Sequence, residues 1–120
     1  MLREIMVDNF MSFKYEATFS FVIKKESQLK ERYVIKAPDG SKLLKLGILY
    51  GANASGKSNF IKVFDFLKAF LFKPSSDIDQ PIKYTPFLLD HESINSPTKF
   101  RVDFYAGDRR FIYNLELQGK

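Results

Sequence analysis

The chain has 120 residues, of which 45% are hydrophobic and 28% are charged, and a formal net charge of +5. This composition is typical of a globular protein and excludes a disordered or collagen-like chain, and the length predicts one domain with a modest core. The lack of cysteine excludes disulfides and thiolate metal sites, and the single histidine excludes a multi-histidine site. No apolar run approaches the roughly 20 residues that span a bilayer. We therefore expect a cytoplasmic protein that does not enter a membrane.

The first 40 residues predict antiparallel strands joined by turns. Apolar side chains alternate with polar ones over residues 2–8 and again over 17–24, which is the pattern of a half-buried strand. Residues 9–13 predict a turn that carries two phenylalanines. A short third strand is expected over 33–37, followed by a Pro-Asp-Gly turn at 38–40.

The hydropathy pattern differs in the middle of the chain. Residues 46–50 form a continuous apolar run without alternation, which predicts a strand buried on both faces of an α/β sheet. From Ser58 to about Phe72 the apolar residues follow a helical period and leave only a narrow polar stripe, which predicts a helix buried on most sides. Pro74 is expected to end this helix, and residues 73–97 are predicted to form a loop. Residues 100–117 predict a closing hairpin.

Residues 51–58 match the phosphate-binding pattern G-x-x-x-x-G-K-S between the predicted strand and helix. The glycines let successive backbone N–H groups converge on phosphate oxygens, and the helix N-terminus adds partial positive charge. In such a loop Lys57 binds the β- and γ-phosphates and the Ser58 hydroxyl holds Mg²⁺. A structural glycine-rich turn is the alternative. The predicted cofactors are ATP and Mg²⁺, and the predicted site consists of Gly51, Ala52, Asn53, Ala54, Ser55, Gly56, Lys57, Ser58 and Asn59.

Hydrolysis would also need an acidic residue that completes the Mg²⁺ shell, and the sequence gives little support for such a residue. The one candidate for this Walker B position is Asp90, which follows the apolar residues 87–89. Pro86 sits where a central strand would need an N–H, so a surface turn is the favoured interpretation. Asp65 lies two helical turns beyond the motif and points away from it. His91 is expected in an exposed loop.

Two further features leave alternatives open. Phe13 and Tyr15 could stack on adenine, although core packing is favoured. Residues 24–45 carry seven basic against three acidic residues. They form either a solvated hairpin or a surface for nucleic acid.

Three stretches carry a resemblance to a known family. They are the start Asn9-Phe10-Met11-Ser12-Phe13, the loop GANASGKSN at 51–59, and residues 84–90 with 97–104. In these stretches the chain resembles the N-terminal part of SMC/RecF-type ABC ATPases. They are similar in particular to bacterial AAA-family ATPases associated with phage defence and abortive infection. The resemblance implies an α/β P-loop NTPase fold in which a mostly antiparallel β subdomain packs beside the P-loop strand and helix. It covers nearly the whole chain.

The resemblance also implies roles and partners. Gly51, Asn53, Gly56, Lys57 and Ser58 correspond to the phosphate and Mg²⁺ site. Ser12 matches the start motif, whereas Met11 stands where relatives often have a basic residue that approaches the nucleotide. Gln118 falls roughly where a Q-loop glutamine occurs.

Relatives of this type continue with a signature motif, a Walker B pair and a switch histidine, and two heads sandwich ATP. Residues 1–120 are therefore expected to form a single N-terminal lobe, completed by a C-terminal lobe or a second head. Its expected function is Mg-ATP binding, with little turnover by itself, within an ATPase that acts on or senses DNA or RNA. The alternatives are a small complete P-loop NTPase or kinase, and a non-catalytic nucleic-acid-binding module.

Overall fold

The computed structural model describes residues 1–23, 31–48, 56–73 and 79–118. A four-stranded antiparallel sheet in the order β2-β1-β5-β6 forms its centre, and a two-stranded hairpin, β3-β4, accompanies it. The elements in chain order are β1 Leu2–Asp8, β2 Ala17–Ser20, a 3₁₀ turn Glu31–Tyr33, β3 Val34–Lys36, β4 Lys42–Leu44, α1 Lys57–Phe72, α2 His91–Asn95, β5 Thr98–Ala106 and β6 Arg109–Leu117.

Strand β1 lies inside the sheet because its apolar residues fall on alternate positions. Ile5 pairs with Phe19 of β2 on one side and with Val102 of β5 on the other. Since side chains alternate between the faces of a strand, these three point the same way and continue one apolar face across the sheet. Val7 follows the same alternation and is 1% exposed, which confirms the strand predicted over residues 2–8.

The main core forms where helix α1 covers this apolar face. Phe10 contacts both Phe66 of the helix and Phe100 of β5, with ring centroids 5.7 and 5.2 Å apart. Such tilted and edge-on ring pairs stabilise a core beyond the area that they bury. The fully buried members of this core are Ile5, Val7, Phe10, Val63, Leu67, Phe100 and Leu117.

A smaller core lies on the opposite face of the sheet. Tyr105 alternates with the residues of β5 that face α1, and it packs instead against Ala37 and Leu43 of the β3-β4 hairpin. Leu43 is 1% exposed. The hairpin is therefore attached to the far end of the sheet rather than being solvated on all sides.

The structure corrects three expectations. The strand predicted over 46–50 is not present in its described part, where Leu46 and Ile48 are 68% and 78% exposed. No strand among the described residues pairs with this segment, so nothing there covers its side chains. Helix α1 is buried on one side only, with Ile61 and Phe72 exposed, because the sheet covers a single face. The short helix α2 lies within the segment that was expected to be a loop.

The remaining elements agree with the prediction to within a few residues. The helix expected from Ser58 to Phe72 is α1, and the closing hairpin is β5-β6, which pairs over nine positions from Thr98–Leu117 to Ala106–Arg109. The turn at 38–40 forms with Gly40 at a φ of 88°. Across the described ranges, no helix has both the length and the hydropathy needed to cross a membrane.

Candidate functional site

Helix α1 begins in the way that the phosphate-loop pattern predicts. Gly56 precedes the helix with a φ of 93°, a left-handed conformation that glycine adopts without strain. The first helical hydrogen bond runs from the N–H of Phe60 to the carbonyl of Gly56, at 3.0 Å. Lys57 and Ser58 therefore form the first turn of a helix of 16 residues. The predicted site residues at 51–55 lie outside the described residues.

The start of α1 is suited to an anionic partner. No side chain caps the helix at Gly56, and its first turn contains no acidic residue. The first backbone N–H groups of a helix have no partner within the helix, and its dipole favours negative charge at this end. A ligand that supplies oxygen atoms would satisfy both requirements.

Ser12 approaches this helix start from the turn after β1. A Cβ atom placed on Gly56 would lie 3.2 Å from the Oγ of Ser12, which is tighter than ordinary van der Waals contact. The side chain of Ser12 is exposed, and its hydroxyl forms no hydrogen bond among the described residues. Two segments far apart in sequence thus meet at the residue that immediately precedes the helix.

The turn that carries Ser12 is held in an unusual backbone conformation. Asn9 and Met11 both have positive φ values, 53° and 50°, which side-chain-bearing residues adopt rarely. Phe10 and Phe13 exchange two backbone hydrogen bonds of 3.0 and 2.8 Å across the turn. The N–H of Met11 donates to the carbonyl of Thr85 at 2.9 Å. Surrounding contacts must hold such a turn, since isolated chains disfavour it.

Asn9 supplies most of those contacts and is 4% exposed. Its Nδ2 donates to the carbonyls of Ser93 and Ser96 at 2.7 and 3.0 Å, and its Oδ1 accepts from the N–H of Phe87 at 3.0 Å. The hydroxyl of Thr98 donates to the carbonyl of Asn9. The side chain and backbone of one residue therefore join the turn after β1 to the loop before α2, to α2 itself and to the start of β5.

Asp90 has a structural role in this region. Its carboxylate accepts from the backbone N–H and the hydroxyl of Ser93, at 3.3 and 2.9 Å, and so caps the N-terminus of α2. The Ser93 hydroxyl and then the Lys14 ammonium, 3.6 Å away, hold the pKa of Asp90 below its usual range. The surface-turn interpretation of Asp90 is thus supported over a Walker B role. His91 is exposed as expected, but it opens a helix rather than lying in a loop.

The other candidate residues lie in the core or on exposed surface. Phe13 packs edge-on against Phe19 of the core, with ring centroids 6.2 Å apart, whereas Tyr15 is 75% exposed and contacts Lys14. Asp65 is exposed on α1. Gln118 is exposed and lies near α2, where its Nε2 is 3.5 Å from the carbonyl of Asn95.

The structural role of Asn9 was not predicted from the sequence, although several of the residues that it contacts lie in the stretches quoted above. Phe87, Pro97 and Thr98 were noted only as parts of motifs that resemble a family. An asparagine after a strand is an ordinary turn residue, so its buried contacts with residues 78 to 89 positions away were not visible in the pattern.

A left-handed glycine immediately before a helix that has lysine and serine in its first turn is an arrangement with which nucleotide-binding domains hold phosphate. A family model described as "AAA domain, putative AbiEii toxin, Type IV TA system" matches residues 47–120, which is more than half of the chain. The chain therefore belongs to this AAA-domain family, whose members are AAA-type ATPases with a P-loop NTPase fold. Comparison with curated proteins gives no match.

Proposed function

We propose that the chain binds Mg-ATP through residues 51–59. The observation that carries this proposal is the left-handed Gly56 immediately before α1, with Lys57 and Ser58 in a first helical turn that contains no acidic residue. This arrangement leaves the helix start available to phosphate oxygens. Membership of an AAA-domain family supports a nucleotide as the ligand.

The residues present fit the proposed cofactor. A side chain at Gly56 would press on Ser12, so only glycine keeps the backbone open to a close-lying ligand at this position. Lys57 would hold the β- and γ-phosphates and Ser58 would hold Mg²⁺, with Gly51, Asn53 and the rest of the loop enclosing the phosphates. Bound Mg²⁺ would neutralise the phosphate charge that develops when the terminal bond is broken.

Residues 1–120 would serve as the N-terminal lobe of an ATPase head of the SMC/RecF type. A C-terminal lobe or a second head would complete the catalytic site, because Asp90, the candidate Walker B residue, caps α2 instead. We expect this ATPase to be cytoplasmic and to act on or sense DNA or RNA, in phage defence or DNA repair. The family description, which names a toxin of a toxin–antitoxin system, supports the defence setting.

Titration calorimetry with Mg-ATP tests the proposal. The wild-type chain should bind, and Lys57→Ala should lose binding at least tenfold because it removes a charge-assisted contact to phosphate. Lys68→Ala is the matched control, since Lys68 is an exposed lysine of the same helix and should bind as wild type. Equal loss in both variants, or no binding by the wild-type chain, contradicts the proposal.

A turnover assay on the same samples separates the alternatives. Wild-type chain should show no steady ATP hydrolysis above the Lys57→Ala background. Steady hydrolysis that Asp90→Asn abolishes would instead identify a small complete P-loop NTPase or kinase. Asparagine is itself a good helix cap, so this substitution should leave the fold intact.

A second function, contact with nucleic acid, is favoured by the outer face of the β3-β4 hairpin. Lys36 and Lys42 are directly opposite each other in the pairing of β3 with β4, and both are exposed. Neither forms an ion pair with a described residue, and like charges in this position repel each other. Arg32, which stacks on Tyr33 just before β3, adds a third cation to this part of the chain. A phosphate backbone would relieve this repulsion.

The salt dependence of binding to a fluorescent DNA or RNA duplex tests this second function. If two phosphates are neutralised, the double variant Lys36→Glu/Lys42→Glu should lower the slope of log K against log salt by roughly 2. Lys62→Glu/Lys68→Glu on helix α1 has the same charge change and should leave the slope as it is. Identical slopes for wild type and the hairpin variant would exclude the hairpin as the nucleic-acid surface.

A further inference from the structure

We propose that Ser12 contacts the phosphate chain of the bound nucleotide and that Asn9 is the positioning residue that holds Ser12 in place. The inference rests on the proposed nucleotide binding and extends it to a segment outside residues 51–59. The observation behind it is the close approach of the 9–13 turn to Gly56, immediately before α1.

The hydroxyl of Ser12 has the chemistry and the place for such a contact. It lies beside Gly56, where the backbone N–H groups of the helix start collect, and it has no hydrogen-bond partner among the described residues. A serine hydroxyl can donate to a phosphate oxygen while the backbone groups donate from the other side. The exposed side chain leaves this hydroxyl accessible to a ligand.

The position of Ser12 depends on Asn9. The turn between them contains two residues with positive φ, so it keeps its shape only while neighbouring groups hold it. The buried Asn9 amide bonds to three backbone groups of the 87–96 segment, and Met11 bonds to Thr85. Removing the Asn9 side chain would release the turn at one end and allow Ser12 to move away from Gly56.

Asn9→Gly is the informative substitution because glycine accepts the left-handed conformation of Asn9 while losing every side-chain hydrogen bond. Mg-ATP affinity should fall about tenfold in Ser12→Ala and about tenfold in Asn9→Gly, as expected for one charge-assisted hydrogen bond. Ser12→Thr retains the hydroxyl and should bind within about threefold of wild type.

The double variant Asn9→Gly/Ser12→Ala distinguishes positioning from general destabilisation. If Asn9 acts through Ser12, the double variant loses about tenfold, as each single variant does. If the two effects are independent, it loses about a hundredfold, and the proposed role of Asn9 is wrong. Tyr105→Phe, which removes a hydroxyl on the opposite face of the sheet, is the control for a lost structural hydrogen bond and should bind ATP as wild type.

Thr98→Val provides the same test if Asn9→Gly does not fold. It removes only the hydroxyl that donates to the Asn9 carbonyl, and its effect on ATP affinity should likewise disappear in the Ser12→Ala background. Amide hydrogen exchange without nucleotide gives a second measurement. Exchange at Met11 and Phe60 should be faster in the Asn9 or Thr98 variant, and unchanged exchange at Phe60 would contradict a link between the turn and the helix start.

The outcomes separate this inference from the proposed function. If wild type binds ATP, Lys57→Ala does not, and Ser12→Ala binds as wild type, the phosphate site is supported and the role of Ser12 is wrong. If the wild-type chain does not bind ATP, the proposed nucleotide binding is wrong, and the contact from Ser12 is rejected with it.

Discussion

Gly56 and Gly40 have nearly the same backbone conformation, with φ values of 93° and 88°, but different surroundings. A Cβ on Gly40 would meet no atom within 4 Å, whereas one on Gly56 would press on Ser12. Both positions favour glycine because their φ is positive, and an alanine in this conformation would lower the free energy of unfolding by about 1–2 kcal/mol. Only Gly56 lies at the proposed phosphate site.

Substitutions at these two glycines should distinguish an effect on folding stability from an effect on ATP binding. Gly40→Ala and Gly56→Ala should each lower the free energy of unfolding by about 1–2 kcal/mol, as measured by urea denaturation. Only Gly56→Ala should also weaken Mg-ATP binding, because its methyl group displaces Ser12 and occupies space at the helix start. Equal ATP affinities in the two variants would show that the conformation of Gly56 serves folding alone.

At the level of single residues, the sequence predicted chemistry better than contacts. The pattern at 51–58 identified Gly56, Lys57 and Ser58, and the helix begins where these residues predict. The hydrogen bonds of Asn9 join residues separated by most of the chain, and no local period reports such pairings. Their prediction requires the order of strands in the sheet, which the sequence pattern did not provide.

Among the elements, the β3-β4 hairpin is tied to the sheet by a polar network as well as by Leu43. The hydroxyl of Tyr105 donates to the Asp39 carboxylate at 2.8 Å, and Arg3 donates to Tyr105 and to Ser41 at 2.8 and 2.9 Å. Asp39 also accepts from the N–H of Ser41 at 2.9 Å. These bonds to Ser41 and Tyr105 lower the pKa of Asp39 from its ordinary value of 3.8 to about 2.

This lowered pKa predicts an acid-dependent attachment of the hairpin. A carboxylate whose pKa falls on folding stabilises the fold fully above pH 3.8, and this contribution is lost as the pH falls towards 2. Asp39→Asn should therefore be less stable than wild type at pH 6, and the difference in Tm should shrink between pH 4 and pH 2. Thermal unfolding followed by circular dichroism measures both.

Asp108→Asn is the control for this prediction. Asp108 lies in the exposed turn between β5 and β6, and its substitution should leave the Tm close to that of wild type at pH 6. A Tm difference between wild type and Asp39→Asn that stays constant from pH 6 to pH 2 would contradict the assigned role of the Asp39 carboxylate.

Helix α1 illustrates why an element can be predicted correctly and its surroundings incorrectly. Its apolar period located the helix to within one residue, but the pattern also suggested burial on most sides. The sheet covers only the side that includes Val63 and Leu67, while Ile61 and Phe72 remain 56% and 76% exposed. Hydrophobicity reports which side chains favour burial, whereas burial itself depends on what packs against them.

At the scale of the whole molecule, the sequence predicted the four sheet strands and the long helix in their order, but neither helix α2 nor the arrangement of the sheet. Alternation identified β1, β5 and β6 as half-buried strands, and hairpin connections accounted for β5 beside β6. The pairing of β1 with β5 follows no local signal, because 91 to 102 positions separate the paired residues. The proposed site depends on that pairing, since it brings the turn after β1 to the segment that holds it.

The buried Asn9 also has a consequence for the order of events during synthesis. Its partners lie 78 to 89 residues further along the chain, so the turn at 9–13 lacks the hydrogen bonds of Asn9 until the start of β5 has left the ribosome. The backbone hydrogen bonds of α1 are local, so they require no residue beyond 73. Contacts between such distant residues form slowly in folding chains. A nascent chain would therefore carry its helix before Ser12 reaches Gly56, and the meeting of these two residues would mark a late step of folding.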